Sequence, residues 1–134
     1  MSAPTVNMQD ATQAVRALEA EFERYANAVD AAMLADAFYA EGAQVLAPNA
    51  PPIVGKAAIR DFWSAFLAAG VTDIRLNTGE VTAVGDIAYG VGAYGYTTNG
   101  VRHEGKYVVV YHKQPDGGYK AMVDAFSSNG SSHD

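Results

Sequence analysis

The chain has 134 residues, a net charge of −6 and no cysteine. Nine scattered Lys and Arg residues argue against a nucleic-acid binder, and the lack of cysteine excludes disulfides, thiolate catalysis and Cys-ligated zinc. No apolar run approaches the roughly 20 residues of a membrane span, and the first residues lack the basic and apolar segments of a signal peptide, so we expect a cytoplasmic protein. A single domain of this length can bury a sizeable core.

The first predicted helix follows residues 1–9, which we expect to form a flexible lead-in. Asn7 or Asp10 can cap the helix, which should run to about Ala28. Its apolar residues recur at spacings of three and four, as in a helix that packs one face on a core. These residues are Ala11, Ala14, Val15, Leu18, Phe22 and Tyr25. Glu19 is predicted to lie off this apolar face.

Two more helices and a short strand are predicted before residue 70. Asp30 is a suitable N-cap for a second helix over residues 31–39, and Gly42 should stop it. Its predicted inward residues are Met33, Leu34, Ala37 and Phe38. Residues 43–47 resemble a short strand, and the prolines that follow predict an irregular loop. A third helix is predicted over residues 56–69, with an apolar stripe formed by Ile59, Phe62, Trp63 and Phe66.

The last third of the chain, residues 71–129, is predicted to form four strands joined by three tight turns. The turn sequences are Gly85-Asp86, Asn99-Gly100 and Pro115 to Gly118, all of which contain residues that tolerate positive φ. The segments between them are rich in Val, Tyr, Thr and Ile, which favour strands.

The turn lengths predict which residues face one another across the sheet. The predicted pairs are Gln114 with Tyr119, Tyr111 with Met122, Val109 with Asp124, Tyr107 with Phe126, Gly92 with Tyr107, Gly90 with Val109, and Tyr96 with His103. One face therefore carries Ala88, Gly90, Gly92, Tyr94, Tyr96, His103, Tyr107, Val109, Tyr111, Met122, Asp124 and Phe126. The other carries Tyr89, Val91, Ala93, Val108, Val110, His112, Ala121, Val123 and Ala125. A β-bulge would shift these assignments.

Helices followed by long antiparallel strands predict an α+β fold, with the helices packed on one face of the sheet. The other face is also apolar, and no element remains in the chain to cover it. Its apolar residues include Tyr89, Val91, Val108, Val110 and Val123. Because apolar patches of this size are rare on monomers, we expect a homodimer through this open sheet face.

Six short strings, taken in order, carry a resemblance to a known family. They are residues 38–43 (FYAEGA), 55–63 (GKAAIRDFW), 85–89 (GDIAY), 105–111 (GKYVVVY), 115–120 (PDGGYK) and 124–129 (DAFSSN). Together they resemble the SnoaL-like branch of the nuclear transport factor 2-like superfamily. The resemblance implies one domain over residues 1–134, with a tail at 130–134 that we expect to fray. It also implies a cone-shaped curved antiparallel sheet, three N-terminal helices enclosing an apolar pocket, and usually a homodimer.

The resemblance implies several activities for such a pocket, because the superfamily includes isomerases, cyclases, dehydratases, hydrolases and non-catalytic modules. Ketosteroid isomerases of this superfamily have a catalytic base immediately before a proline, but here Ala47 precedes Pro48. Tyr25 lies near the place of their oxyanion tyrosine. Asp124 resembles in position the late-strand aspartate of SnoaL-type cyclases. The Asp-Arg-Asp arrangement of limonene-epoxide hydrolases has no convincing equivalent.

Asp124 is the candidate catalytic residue, with Tyr25 as a second. A carboxylate among apolar neighbours has its charged form disfavoured, so its pKa should rise towards the range of a general acid or base. The alternative is that Asp124 accepts hydrogen bonds and only stabilises the core. The sequence leaves both interpretations open.

Aromatic and neighbouring side chains are the candidate ligand-binding residues, since tyrosines combine an apolar body with a polar tip. They are Trp63, Tyr94, Tyr107, Tyr111, Met122, Phe126 and His103. Gly90 and Gly92 remove side-chain volume, either for a ligand or for close packing. No metal-ligand spacing and no phosphate-binding loop is present, so no metal or cofactor is predicted.

The sequence thus predicts a pocket protein for an apolar small molecule. One hypothesis is a proton-transfer enzyme of isomerase or cyclase type acting on an apolar carbonyl substrate, with Asp124 moving the proton and Tyr25 or Tyr107 binding the oxyanion. The alternative hypothesis is a non-catalytic dimeric ligand-binding or accessory module, and whether the chain is an enzyme stays open.

Overall fold

The computed structural model describes residues 8–130, which form three helices and six strands. The helices are α1 (Met8–Asn27), α2 (Ala31–Phe38) and α3 (Lys56–Ala68). The strands are β1 (Tyr39–Leu46), β2 (Ile53–Val54), β3 (Val71–Val84), β4 (Ile87–Thr98), β5 (Val101–Lys113) and β6 (Tyr119–Ser128). Most of the predicted lead-in, the alternative Asn7 cap and most of the predicted tail lie outside the described residues.

The strands form one curved sheet in the order β2-β1-β6-β5-β4-β3. The four long strands predicted after residue 70 are antiparallel neighbours, and β1 joins them by pairing parallel with β6. The helices cover one face of this sheet, with α1 packed mainly on β3. The predicted α+β class is confirmed.

The local sequence of α2 determines where this helix begins and which of its residues are buried. Asp30 caps it as predicted, accepting a hydrogen bond from the Met33 backbone N–H at 3.1 Å. The helix ends at Phe38 and the strand β1 begins at the next residue, so the predicted stop at Gly42 is wrong. Its buried residues are Ala31, Leu34, Ala35 and Phe38, and Met33 is exposed rather than inward. The spacing of the buried set matches the helical repeat, which leaves Met33 on the solvent side.

The hairpin between β4 and β5 confirms the predicted register. Asn99 and Gly100 both have positive φ, at 50° and 78°, as a two-residue turn of this kind requires. The observed pairs include Tyr96 with His103, Gly92 with Tyr107, and Gly90 with Val109. In the next hairpin Val109 pairs with Asp124 and Tyr107 with Phe126, also as predicted.

Two predicted pairs in the last hairpin are wrong. Tyr119 pairs with Lys113 and not with Gln114. Tyr111 faces Ala121 and not Met122, because the register shifts between the Val110 and Tyr111 pairs. The extra residue is Met122, and a bulge of this kind reverses the alternation of side chains beyond it. Ala121 is therefore fully buried beside Tyr111, on the face of the sheet that the helices cover.

Candidate functional site

A cavity of about 660 Å³ lies between the helices and the covered face of the sheet. Most of its wall is aromatic or aliphatic, which suits the burial of an apolar ligand. The phenylalanine and tryptophan rings of the wall come from the helices and from the last strand: Phe22, Phe38, Phe62, Trp63, Phe66 and Phe126. Two carboxylates, Asp124 from β6 and Glu19 from α1, also line this cavity.

Asp124 lies at the end of a short hydrogen-bond chain. The Tyr39 hydroxyl donates to Asp124 Oδ2 at 2.6 Å, and Trp63 Nε1 donates to the Tyr39 hydroxyl at 3.1 Å. Strand pairing brings Tyr39 close, because β1 runs parallel to β6 and Tyr39 lies opposite Ala121 on the strand that carries Asp124. Asp124 is 6% exposed, and no salt bridge reaches it among residues 8–130.

Burial is the main cause of the raised pKa of Asp124. It raises the pKa of this carboxyl from 3.8 to about 6, and the hydrogen bond from Tyr39 offsets part of the rise. The pKa of Tyr39 is itself raised well above its usual value by burial and by the nearby Asp124 charge, so this phenol remains a donor. A carboxyl that titrates near pH 6 can act as a base or an acid close to neutral pH.

Glu19 forms a second polar cluster in the same cavity. The Tyr107 hydroxyl donates to Glu19 Oε2 at 2.6 Å, and the Thr78 hydroxyl donates to the same oxygen. The Thr78 and Tyr107 oxygens lie 2.8 Å apart. Burial raises the pKa of Glu19 above its usual value, while the Tyr107 hydrogen bond and the Arg16 charge lower it in part.

Glycine at position 92 makes room for the Tyr107 hydroxyl. A Cβ at Gly92 would lie 2.7 Å from that hydroxyl and 2.5 Å from the Asn77 carbonyl oxygen, closer than such contacts permit. At Gly90 a Cβ would meet the Thr78 methyl group at 3.1 Å. The two glycines that the sequence singled out therefore allow close packing of strands and side chains around the Glu19 cluster.

Stacked rings continue the cavity from Trp63 towards its rim. Trp63 stacks on Phe126, the Tyr94 ring lies edge-on to Phe126, and Tyr94 stacks on Tyr96. The last ring is His103, whose centroid lies 4.9 Å from that of Tyr96 and whose Nε2 lies 2.7 Å from the Thr98 hydroxyl. Burial raises the pKa of Tyr94 to about 12.

Six of the nine predicted site residues line the cavity: Asp124, Trp63, Tyr94, His103, Tyr107 and Phe126. The other three lie elsewhere among the described residues. Tyr25, in the last turns of α1, accepts a hydrogen bond from Arg24 at 2.8 Å and packs under its guanidinium group. Tyr111 is fully buried behind the cavity wall, and burial raises its pKa. Met122 is the bulged residue, which takes it off the cavity face.

Three site residues were missed by the sequence analysis: Tyr39, Glu19 and Thr78. The sequence predicts Tyr39 at the end of the second helix, whereas it is the first residue of β1. The sequence predicts Glu19 off the apolar face of the first helix, yet this residue is 5% exposed and shares the buried stripe with Val15 and Phe22. Its spacing of four and three from those residues was a usable signal, which its charge obscured.

Within residues 8–130, no three His, Asp or Glu side chains are grouped so as to hold a metal ion. No helix in the same range is both long and apolar enough to cross a membrane.

Solved structures with this architecture are numerous. A ketosteroid isomerase-like protein from Erwinia carotovora atroseptica is 18% identical, with 89% of this chain and 96% of that chain covered and a TM-score of 0.75. An NTF2-like protein from Novosphingobium aromaticivorans is 20% identical, with coverage of 93% and 86% and a TM-score of 0.78. An NTF2-like superfamily protein from Salmonella enterica serovar Typhimurium is 14% identical, with coverage of 94% and 96% and a TM-score of 0.78.

These structural likenesses establish the fold, and sequence comparison establishes the family. No curated protein matches the chain at a significant level. The sequence profile of the SnoaL-like domain, however, matches residues 9–123. This range includes Glu19 and ends at the residue before Asp124. The chain therefore belongs to the SnoaL-like domain family.

Proposed function

We propose that the chain binds an apolar small molecule in this cavity and transfers a proton to and from it through Asp124. The observation that carries the proposal is the placement of Asp124, a nearly buried carboxyl in the wall of an apolar cavity without a cationic partner among residues 8–130. A raised pKa is typical of catalytic acids and bases, because it brings the group close to neutral pH.

One oxygen of Asp124 is available to a ligand. Tyr39 is the hydrogen-bond donor to Asp124 within the described range, and it engages Oδ2. Among residues 8–130, the Tyr111 hydroxyl is the only buried polar side-chain atom without a hydrogen-bond partner. Oδ1 of Asp124 therefore retains contact with the cavity that the residue lines. Tyr39 orients the carboxyl while leaving Oδ1 free to accept a proton.

The substrate class in this proposal is an apolar ketone. Asp124 removes a proton from the carbon beside the carbonyl group, and the electron pair of that C–H bond moves to the carbonyl oxygen to form an enolate. The same proton, or one from solvent, then returns to carbon. Of the two tyrosines suggested for the oxyanion, Tyr107 lines the cavity and Tyr25 does not, so Tyr107 takes that role.

Hydrogen exchange tests this step without knowledge of the natural substrate. We expect the protein to accelerate deuterium uptake from D₂O beside the carbonyl of 2-tetralone, and Asp124→Asn to abolish the acceleration while the fold is retained. Binding of 2-tetralone without any exchange would instead support the non-catalytic binding module.

Stability against pH tests the same residue independently. Because the folded pKa of Asp124 is raised from 3.8 to about 6, the native state holds this proton more tightly than the unfolded state. Its stabilising effect is complete below about pH 4 and is lost as the pH rises through about 6, a loss of roughly 3 kcal/mol at about 1.4 kcal/mol per pKa unit.

Asp124→Asn removes this titration. In thermal melts the variant should be as stable as the wild type or more stable at pH 8, with a smaller difference at pH 5, and a clear loss at pH 8 would contradict the catalytic role.

We also propose that the protein is a homodimer through the outer face of the sheet. Tyr89, Val91 and Val108 on this face are 43%, 53% and 39% exposed. Val108→Glu should yield monomers or aggregates in sedimentation experiments, because it places an unpaired charge in the interface. Val101→Glu, at the start of the same strand, is the matched control and should leave the dimer intact. A wild-type monomer at micromolar concentration would contradict the proposal.

A further inference from the structure

The hydroxyl of Tyr107 has one proton and two neighbours that compete for it. In the structure it donates that proton to Glu19 Oε2, at 2.6 Å. The Thr78 hydroxyl donates to the same carboxylate oxygen and lies 2.8 Å from the Tyr107 oxygen. While Glu19 is ionised, Tyr107 therefore offers the cavity a lone pair and no proton.

The other donors around the carboxyls are also engaged within the protein. The Tyr39 hydroxyl donates to Asp124, and Trp63 Nε1 donates to Tyr39. A ketone oxygen placed beside Tyr107 therefore finds no hydrogen-bond donor there unless Glu19 releases the Tyr107 proton. Protonation of Glu19 releases it, because the carboxyl then donates to one of its two hydroxyl neighbours and Tyr107 can turn its own proton towards the cavity.

We propose that Glu19 is a positioning residue that directs the Tyr107 hydroxyl proton: ionised Glu19 retains it, and protonated Glu19 allows Tyr107 to donate to a carbonyl ligand. The inference rests on the proposed function, since it concerns how that same cavity binds a ketone. It predicts that ketone binding follows the protonation of a residue that does not itself contact the reacting carbon.

The groups around Glu19 act on its protonation in both directions. Burial favours the neutral form, as does the negative charge of Glu23 on α1, whereas Arg16 on the same helix favours the charged form. From the sheet, Thr78 and Tyr107 face Glu19 as donors, and its charge acts on Tyr111. The charge of Asp124 on β6 acts on both tyrosines of β5.

The test compares two probes of similar shape, 2-acetylnaphthalene and 2-isopropylnaphthalene, by calorimetric titration between pH 5 and pH 8. The ratio of their affinities isolates the hydrogen bond to the ketone oxygen from the apolar contacts. In the wild-type protein we expect this ratio to fall about fivefold as the pH rises, which is the size of one neutral hydrogen bond. Glu19→Gln should retain the ketone preference at every pH, because the amide carries no charge to retain the Tyr107 proton and, like protonated Glu19, donates to a neighbouring hydroxyl.

Tyr107→Phe separates Glu19 from the other titrating carboxyl. It removes the donor while leaving Asp124 unchanged, so the ketone preference and its pH dependence should both disappear. If the pH dependence survives in Tyr107→Phe, Asp124 causes it and the proposal is overturned. A wild-type ratio that does not change with pH also overturns it.

The outcome does not depend on the folding of one variant or on the deuterium exchange experiment. If Glu19→Gln does not fold, as judged by circular dichroism, the wild-type and Tyr107→Phe profiles alone decide the outcome. Failure of the deuterium exchange experiment would remove the catalytic role of Asp124 but would not alter the wild-type affinity ratio, so the two proposals can fail separately.

Discussion

The two carboxylates of the cavity are chemically alike and differ in their donors. Asp124 on β6 receives one hydrogen bond, from Tyr39, and keeps Oδ1 towards the cavity. Glu19 on α1 receives two on a single oxygen, from Tyr107 and Thr78. Both are less than a tenth exposed, and burial is the largest cause of the raised pKa of each. The two carboxyls therefore differ in the arrangement of their donors and not in their burial, and their proposed roles rest on that difference.

Removing the donor to Asp124 should have the largest effect on stability. Tyr39→Phe leaves Asp124 without a hydrogen bond and Trp63 Nε1 without its acceptor, in a site where Tyr39 is fully buried. We expect a loss of about 3 kcal/mol in the free energy of unfolding at pH 8, and a smaller loss at pH 5, where Asp124 can be protonated. Urea unfolding at both pH values measures the difference. An equal loss at both would show that the carboxylate charge does not depend on Tyr39.

Filling the space beside Tyr107 should disturb the Glu19 cluster. Gly92→Ala puts a methyl group too close to the Tyr107 hydroxyl and to a backbone carbonyl oxygen, so we expect a loss of about 2 kcal/mol from overpacking. Gly42→Ala in β1 is the matched control, since its Cβ would have no neighbour within 4 Å. Thermal melts of the two variants should separate clearly, and similar melting temperatures would contradict the packing described for Gly92.

The smallest effect is expected from the second donor to Glu19. Thr78→Val removes that hydroxyl with little change in shape, leaving Tyr107 as the donor, and should cost about 1 kcal/mol at pH 8. The folded pKa of Glu19 should rise further, so the cost should diminish as the pH falls and Glu19 takes up its proton. Thr78→Ser keeps the hydroxyl and should retain the wild-type pH dependence. A Val variant with the wild-type profile would show that Thr78 does not stabilise the charge.

Local sequence determined most of the framework of this protein. The helical spacing around Phe22 and Trp63, the Asp30 cap and the Asn99-Gly100 turn each act over a few residues, so the sequence alone predicts them. The turn chemistry also paired Val109 with Asp124 correctly.

Tertiary structure alone decided how the cavity carboxyls are bonded. Tyr39 and Asp124 are 85 residues apart and meet only because β1 lies parallel to β6, a pairing between distant segments that no turn specifies. The bulge at Met122 reverses the alternation of side chains without any glycine or proline to signal it. Glu19 turned inward because Tyr107 and Thr78 supply the hydrogen bonds that make its burial tolerable, and those donors come from strands β5 and β3. The burial of a charge depends on such distant partners, so the residue itself does not reveal it.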